Sequence, residues 1–217
     1  MEDKSTALAR VVMRWWLPLK ERERSHALKS AFNVIRDEAI KSEERGFAAS
    51  AVILNIALYF LIAERDIQCL KLDALTHPDE WKRKLCARVI LLTIYEWDMD
   101  KVSGSSLRGA LDSIGASERV RKEAVEALRL VRIVQKKARK EFGVLRNSTI
   151  AHRDADAVAQ YHAINDSKTE EVFRMAVEFY KGAERFIALM PELILESGST
   201  VALLRQWFQN PHNAAPT

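Results

Sequence analysis

The stretch SERVRKEAVEALRLVRIVQKKARKEF, residues 117–142, spaces Val120, Ala124, Ala127, Val131, Val134, Ala138 and Phe142 three or four positions apart. That is the repeat of one helical face, so the segment reads as a long amphipathic helix with Ser117 as its N-cap. Arg121, Arg129, Arg132, Lys136 and Arg139 fall on its other faces. From Arg119 to Arg146 ten basic residues meet three acidic ones, a local balance of +7 in a chain of net charge +4. The positive field is therefore confined to this helix, and the rest of the chain is slightly acidic.

The same helical period extends in both directions. Upstream, Leu107 to Ile114 reads as a short helix ending at Gly115, preceded by a loop over Ser103 to Ser106. Thr76 and Asp79 have capping-box spacing and Pro78 suits a first turn, which predicts a helix from there to about Asp100. Downstream, after a break over Gly143 to Thr149 and a loop over Ala163 to Ser167, Val172, Met175, Ala176, Phe179, Ala183, Phe186 and Met190 form another stripe, with Pro191 near its end. STVALLRQWFQN adds a short helix before a tail expected to fray. At the start, Leu8, Val11, Val12, Trp15, Trp16 and Leu19 form a helix ending or kinking near Pro18, its tryptophans taken as packing residues. A second helix from Glu21 to Arg45 turns Leu28, Phe32, Ile35 and Ala39 inward, with Gly46 as its stop. Seven glycines and five prolines in 217 residues are too few for a turn-rich β fold. The expected fold is an all-α antiparallel helical bundle with additional terminal helices: residues 1–46 as N-terminal helices packed on the bundle, 47–191 as the bundle, and 192–217 as a short helix and tail.

Phe47 to Ala63 is a run of 17 residues without charge. It sits at the lower limit of a bilayer span, but Ser50 and Asn55 interrupt it and charges flank it closely. A helix hydrophobic all round is equally required at the centre of a bundle, and that is the expectation here, with no membrane partner. Cys69 and Cys86 have no metal-ligand spacing and suggest a reduced, cytoplasmic setting. No phosphate loop, dinucleotide glycine pattern, zinc helix or serine elbow occurs. His152-Arg153-Asp154 copies three letters of a kinase catalytic loop, but Ala159 stands where that loop needs asparagine.

What remains is Val144 to Asp154, VLRNSTIAHRD, directly after the basic helix. Arginine offers a permanent planar cation suited to phosphate, and histidine titrates near neutral pH. Arg146 and His152 together suit phosphodiester cleavage. Six residues apart, they point about 120° apart on an unbroken helix, so convergence needs a local bend or a second subunit across a two-fold axis. A structural reading stands beside this one, in which Asn147, Ser148 or Thr149 caps a helix while Arg146 and Asp154 make surface contacts and the basic face is merely solvated. Tyr161 and Asp156 lie near enough to line a cleft, with no role assigned.

Arg146-Asn147 followed by Ala151-His152 resembles the R-x(4–6)-H signature of the HEPN superfamily, closest to abortive-infection-like prokaryotic members. The resemblance covers about Ala48 to Met190. It implies a helical bundle that homodimerises to bring two motifs into one cleft, and a metal-independent endoribonuclease in a toxin or antiviral role. No cofactor or metal is implied, and a cognate antitoxin is a possible partner. By that resemblance Arg146 and His152 are catalytic and Asn147 is a polar support. RNA would be tracked by Arg129, Arg132, Lys136, Arg139, Lys140 and Arg153. The tyrosine that follows the histidine in some members is absent, Arg153 and Asp154 standing there instead. The alternative is a noncatalytic HEPN-like module that binds RNA, a nucleotide or a protein in the same cleft.

Overall fold

The computed structural model describes residues 4–98, 102, 106–151 and 155–209. It is an all-α helical bundle built from α1 (Lys4–Glu44), α2 (Ala48–Thr76), α3 (Glu80–Tyr95), α4 (Ser106–Ile114), α5 (Glu118–Arg146), α6 (Ala157–Asn165), α7 (Thr169–Ser197) and α8 (Thr200–Gln209). A π-helical turn, Asn147–Ala151, follows α5 directly. No strand occurs among the described residues.

Local chemistry sets the helix ends. Gly46 (φ +74°) closes α1 in a Schellman turn: its N–H reaches the Glu43 carbonyl at 3.0 Å and that of Phe47 reaches Ser42 at 2.8 Å. Gly115 (φ +69°) repeats the device after α4, and Ser117 Oγ accepts from the Val120 N–H at 3.4 Å to start α5. Asp156 caps α6 by accepting from Val158 and Ala159.

Several expectations need correction. The helix does not end at Pro18: α1 continues through it, with the Pro18 ring on an exposed face. Trp15 and Trp16 are exposed, not packed. The α3 cap is Asp79 alone, accepting from Trp81 N–H at 2.9 Å; Thr76 is the last residue of α2 and donates to Leu72, and Pro78 precedes the cap. The helix stops at Tyr95, not Asp100. Gly143 interrupts nothing, and α7 passes Pro191 to end at Ser197. The proposed loop residues 103–105 and tail 210–217 lie outside the described residues.

The chain divides into two compact units, each assembled from three stretches. The first comprises Met1–Leu28, Ala63–Trp97 and Val131–Lys181. Its core holds Ile67, Ile90, Ile94, Val131, Met175 and Trp97, whose ring meets Phe179 edge-on at 5.4 Å. The second comprises Lys29–Ile62, Asp98–Leu130 and Gly182–Thr217. Ile53, Ile56, Val120, Ala127 and Leu193 are buried there, as are Phe60 and Phe186, whose rings stack at 4.7 Å. Every residue of the two stripes read from sequence, Val120 to Phe142 and Val172 to Met190, is buried. Helix α2 is long and apolar enough to cross a membrane, yet Ile53, Ile56, Ala57, Phe60 and Ile67 are buried within the fold.

Candidate functional site

In the first unit the last turn of α5 delivers Arg146 to the π-helical turn, whose first residue is Asn147. The turn has a chemical cause. Ser148 Oγ donates to the Val144 carbonyl at 2.9 Å and Thr149 Oγ1 to that of Leu145 at 2.6 Å. Hydroxyls bonding back four residues compete with the backbone N–H for the same carbonyls, which favours widening of the helix at that point. The sequence break over Gly143 to Thr149 is thus a widened turn rather than a loop. Helices α3 and α6 pack on it.

The Arg146 guanidinium is held from three sides. Nη1 donates to Asn147 Oδ1 at 2.8 Å, Nη2 donates to the Glu96 carboxylate, and Cζ lies 4.9 Å from the centroid of the Tyr95 ring. Arg139, two turns earlier on the same face of α5, holds its Cζ 5.8 Å from that ring, and Gln135 Nε2 donates to the Tyr95 carbonyl at 3.3 Å. Tyr95 therefore lies against α5 between two guanidinium groups, an arrangement favoured by the negative face of the ring. The Arg146 side chain is 18% exposed and that of Glu96, at the C-cap of α3, 46%. Arg146 Nε is buried and has no acceptor among the described residues. An unsatisfied buried N–H costs about 1–3 kcal/mol.

His152 and Arg153 lie outside the described residues. Of the residues expected to track RNA, Arg132, Lys136, Arg139 and Lys140 are exposed and recur at spacings of four, three and one, on one side of α5. Lys136 and Lys140 have no ion-pair partner among the described residues, whereas neighbouring Lys137 is bound by Glu178 at 3.2 Å. Arg129 belongs to the second unit and is committed to Glu126 through bonds of 2.7 and 2.8 Å. Those bonds hold the Glu126 carboxyl below its ordinary value.

No known protein family, curated protein or solved structure matches this chain.

Sequence reasoning did not find Tyr95 and Glu96, because they meet Arg146 across 50 residues of chain. It also missed an exposed aromatic pair, Trp81 on α3 and Tyr161 on α6, stacked at 6.1 Å with an interplanar angle of 28°. A separate cavity of about 580 Å³ in the first unit is lined by Arg83, Lys84, Asp166 and Lys168, among others. Two of its cations serve the fold: Arg83 donates to the His77 and Pro78 carbonyls, and Lys84 to Asn165 and Glu80. Among the described residues no group of three or more His, Cys, Asp or Glu is placed to hold a metal ion.

Proposed function

We propose that this chain is a homodimeric, metal-independent endoribonuclease of HEPN type, acting in a toxin or antiviral defence role. The observation that carries the reading is Arg146: a mostly buried guanidinium at the exit of a cation-rich helix, with one N–H lacking an acceptor, six residues before His152. The exposed cations Arg132, Lys136, Arg139 and Lys140 supply an attraction for the RNA backbone that weakens with salt.

In this mechanism His152 takes the proton of a ribose 2′-hydroxyl, whose oxygen attacks the adjacent phosphorus. The bond from phosphorus to the 5′-oxygen breaks, and the partner's His152 protonates that leaving oxygen. The products are a 2′,3′-cyclic phosphate and a 5′-hydroxyl. Arg146 neutralises the nonbridging oxygens as charge develops, a role worth a few kcal/mol in a preorganised site. Asn147 holds the Arg146 fork in place through its 2.8 Å bond. General acid–base catalysis by histidine adds about 10²–10⁴-fold.

The test is cleavage of single-stranded RNA in EDTA by the wild-type protein and by His152→Ala. The expected result is cleavage to cyclic-phosphate ends by the wild type alone; equal cleavage by both proteins overturns the proposal. A second reading, a noncatalytic module binding RNA, a nucleotide or a protein, is favoured by the Glu96 carboxylate, which already occupies Arg146 Nη2. It predicts no cleavage by either protein, with RNA bound only where RNA is the ligand.

A further inference from the structure

The N-terminal half of α1 is amphipathic in the inverse sense. Its polar residues hold it to α2: Glu21 binds Lys71 at 2.8 Å and Gln68 at 2.9 Å, Arg24 binds Glu64 at 2.8 Å, and Arg14 approaches Asp73 at 3.9 Å. Met13 and Leu17 are half-buried on that side, but six other apolar residues face away. Leu8, Val11, Val12, Trp15, Trp16 and Leu19 fall within one 140° sector of the helix, and each is at least half exposed, Trp15 by 78% and Leu19 by 71%. The ridge is about 16 Å long at 1.5 Å per residue. Lone exposed apolar side chains are ordinary, but a contiguous stripe with two tryptophans marks a surface that something covers.

Charge selects among the possible occupants. Between Lys4 and Lys20 the helix carries four cations and no acid, and Lys20 Nζ folds over the Trp16 ring at 4.3 Å. A second copy docked through this stripe would set the Lys20 edge and acid-free sequence of one copy against the same features of the other, since a two-fold interface repeats the same patch on both sides. Like charges opposed across an interface work against docking. The ridge is also convex, a single helix with no groove of its own. A convex apolar face bearing tryptophans, with Lys20 at its edge and no acid between Lys4 and Lys20, matches the boundary of an anionic bilayer, where indole rings sit at headgroup level and basic side chains meet lipid phosphates.

We propose that the N-terminal half of α1 lays this stripe into the surface of an anionic membrane, docking the protein peripherally with no segment crossing. The membrane question thereby moves from the Phe47–Ala63 run, which is largely buried, to a helix whose sequence alone suggested packing. Contact through α1 is independent of the chemistry at Arg146.

The experiment is co-sedimentation of the full chain with vesicles of phosphatidylcholine alone and of phosphatidylcholine mixed with phosphatidylglycerol. A Leu8→Gln/Trp15→Gln double variant is run beside the wild type, and circular dichroism verifies that both are folded. The expected result is binding to the mixed vesicles only, weakened by salt and reduced about tenfold or more in the variant. No binding to mixed vesicles, or binding that the variant leaves unchanged, overturns the proposal. So does a wild-type oligomer, seen by sedimentation equilibrium, that the double variant dissociates, because that result assigns the stripe to a second copy.

Discussion

Replacing Glu96 with Gln separates the structural role of Arg146 from the phosphate-binding role proposed for it. As an ion pair, Arg146 and Glu96 tie the end of α5 to the end of α3, but the carboxylate is 46% exposed and the pair is correspondingly screened. Its loss costs about 1 kcal/mol, the upper part of the range for exposed pairs. In a chain of this size that lowers Tm by about 2–4 °C. For a phosphate seated on Arg146 the same substitution acts in the opposite direction. A carboxylate about 6 Å from the phosphate, at an effective dielectric between 20 and that of water, repels it by about 1–3 kcal/mol. Removing that charge tightens RNA binding about tenfold. The assay is paired: thermal melting for stability, and fluorescence anisotropy with a labelled single-stranded RNA in EDTA for affinity, using the His152→Ala background to prevent turnover. Lower Tm with tighter binding is the expected pattern. Unchanged or weaker binding would refute the claim that Arg146 receives the phosphate, and would make Glu96 and Arg146 a structural clasp.

Other consequences concern the scaffold. Phe186 is fully buried and stacked on Phe60 at 4.7 Å, so Phe186→Ala removes a large core side chain and costs about 3–5 kcal/mol, read from denaturant unfolding; a loss under about 1 kcal/mol would contradict the packing described. At Glu21, burial acts to raise the carboxyl, but bonds from Lys71 and Gln68 outweigh it and the group sits below its ordinary 4.5. Its folded value is the lower one, so its contribution to stability is complete above about pH 4.5 and is lost as pH falls through the folded value. Acid melting curves should therefore separate wild type from Glu21→Gln less at low pH than at pH 7, and a constant separation would contradict the assignment.

Much of this architecture is legible in the chain as written. The stripe from Val120 to Phe142 keeps a 3.6-residue period over six turns, and that regularity alone predicts its burial, as it does for Val172 to Met190. The errors cluster where local rules meet tertiary context. Helix α1 runs through Pro18, whose ring lies on an exposed face, and the tryptophans beside it point outward although apolar residues are commonly assumed to pack. Gly143 sits inside α5, and the widening comes four residues later, where two hydroxyls bond backward. Arg146 and Asn147, singled out by residue chemistry and motif resemblance, bond each other at 2.8 Å. Glu96 and Tyr95 were not singled out, since no local pattern relates them to a residue 50 positions away.

Cleavage of one purified RNA in EDTA, with the 3′ ends of its fragments read by mass spectrometry, bears most directly on the nuclease account. Wild-type protein should generate 2′,3′-cyclic phosphate ends, while Arg146→Ala and His152→Ala, folded by circular dichroism, should generate none above background. Fragments of the same kind and amount from all three proteins would contradict it.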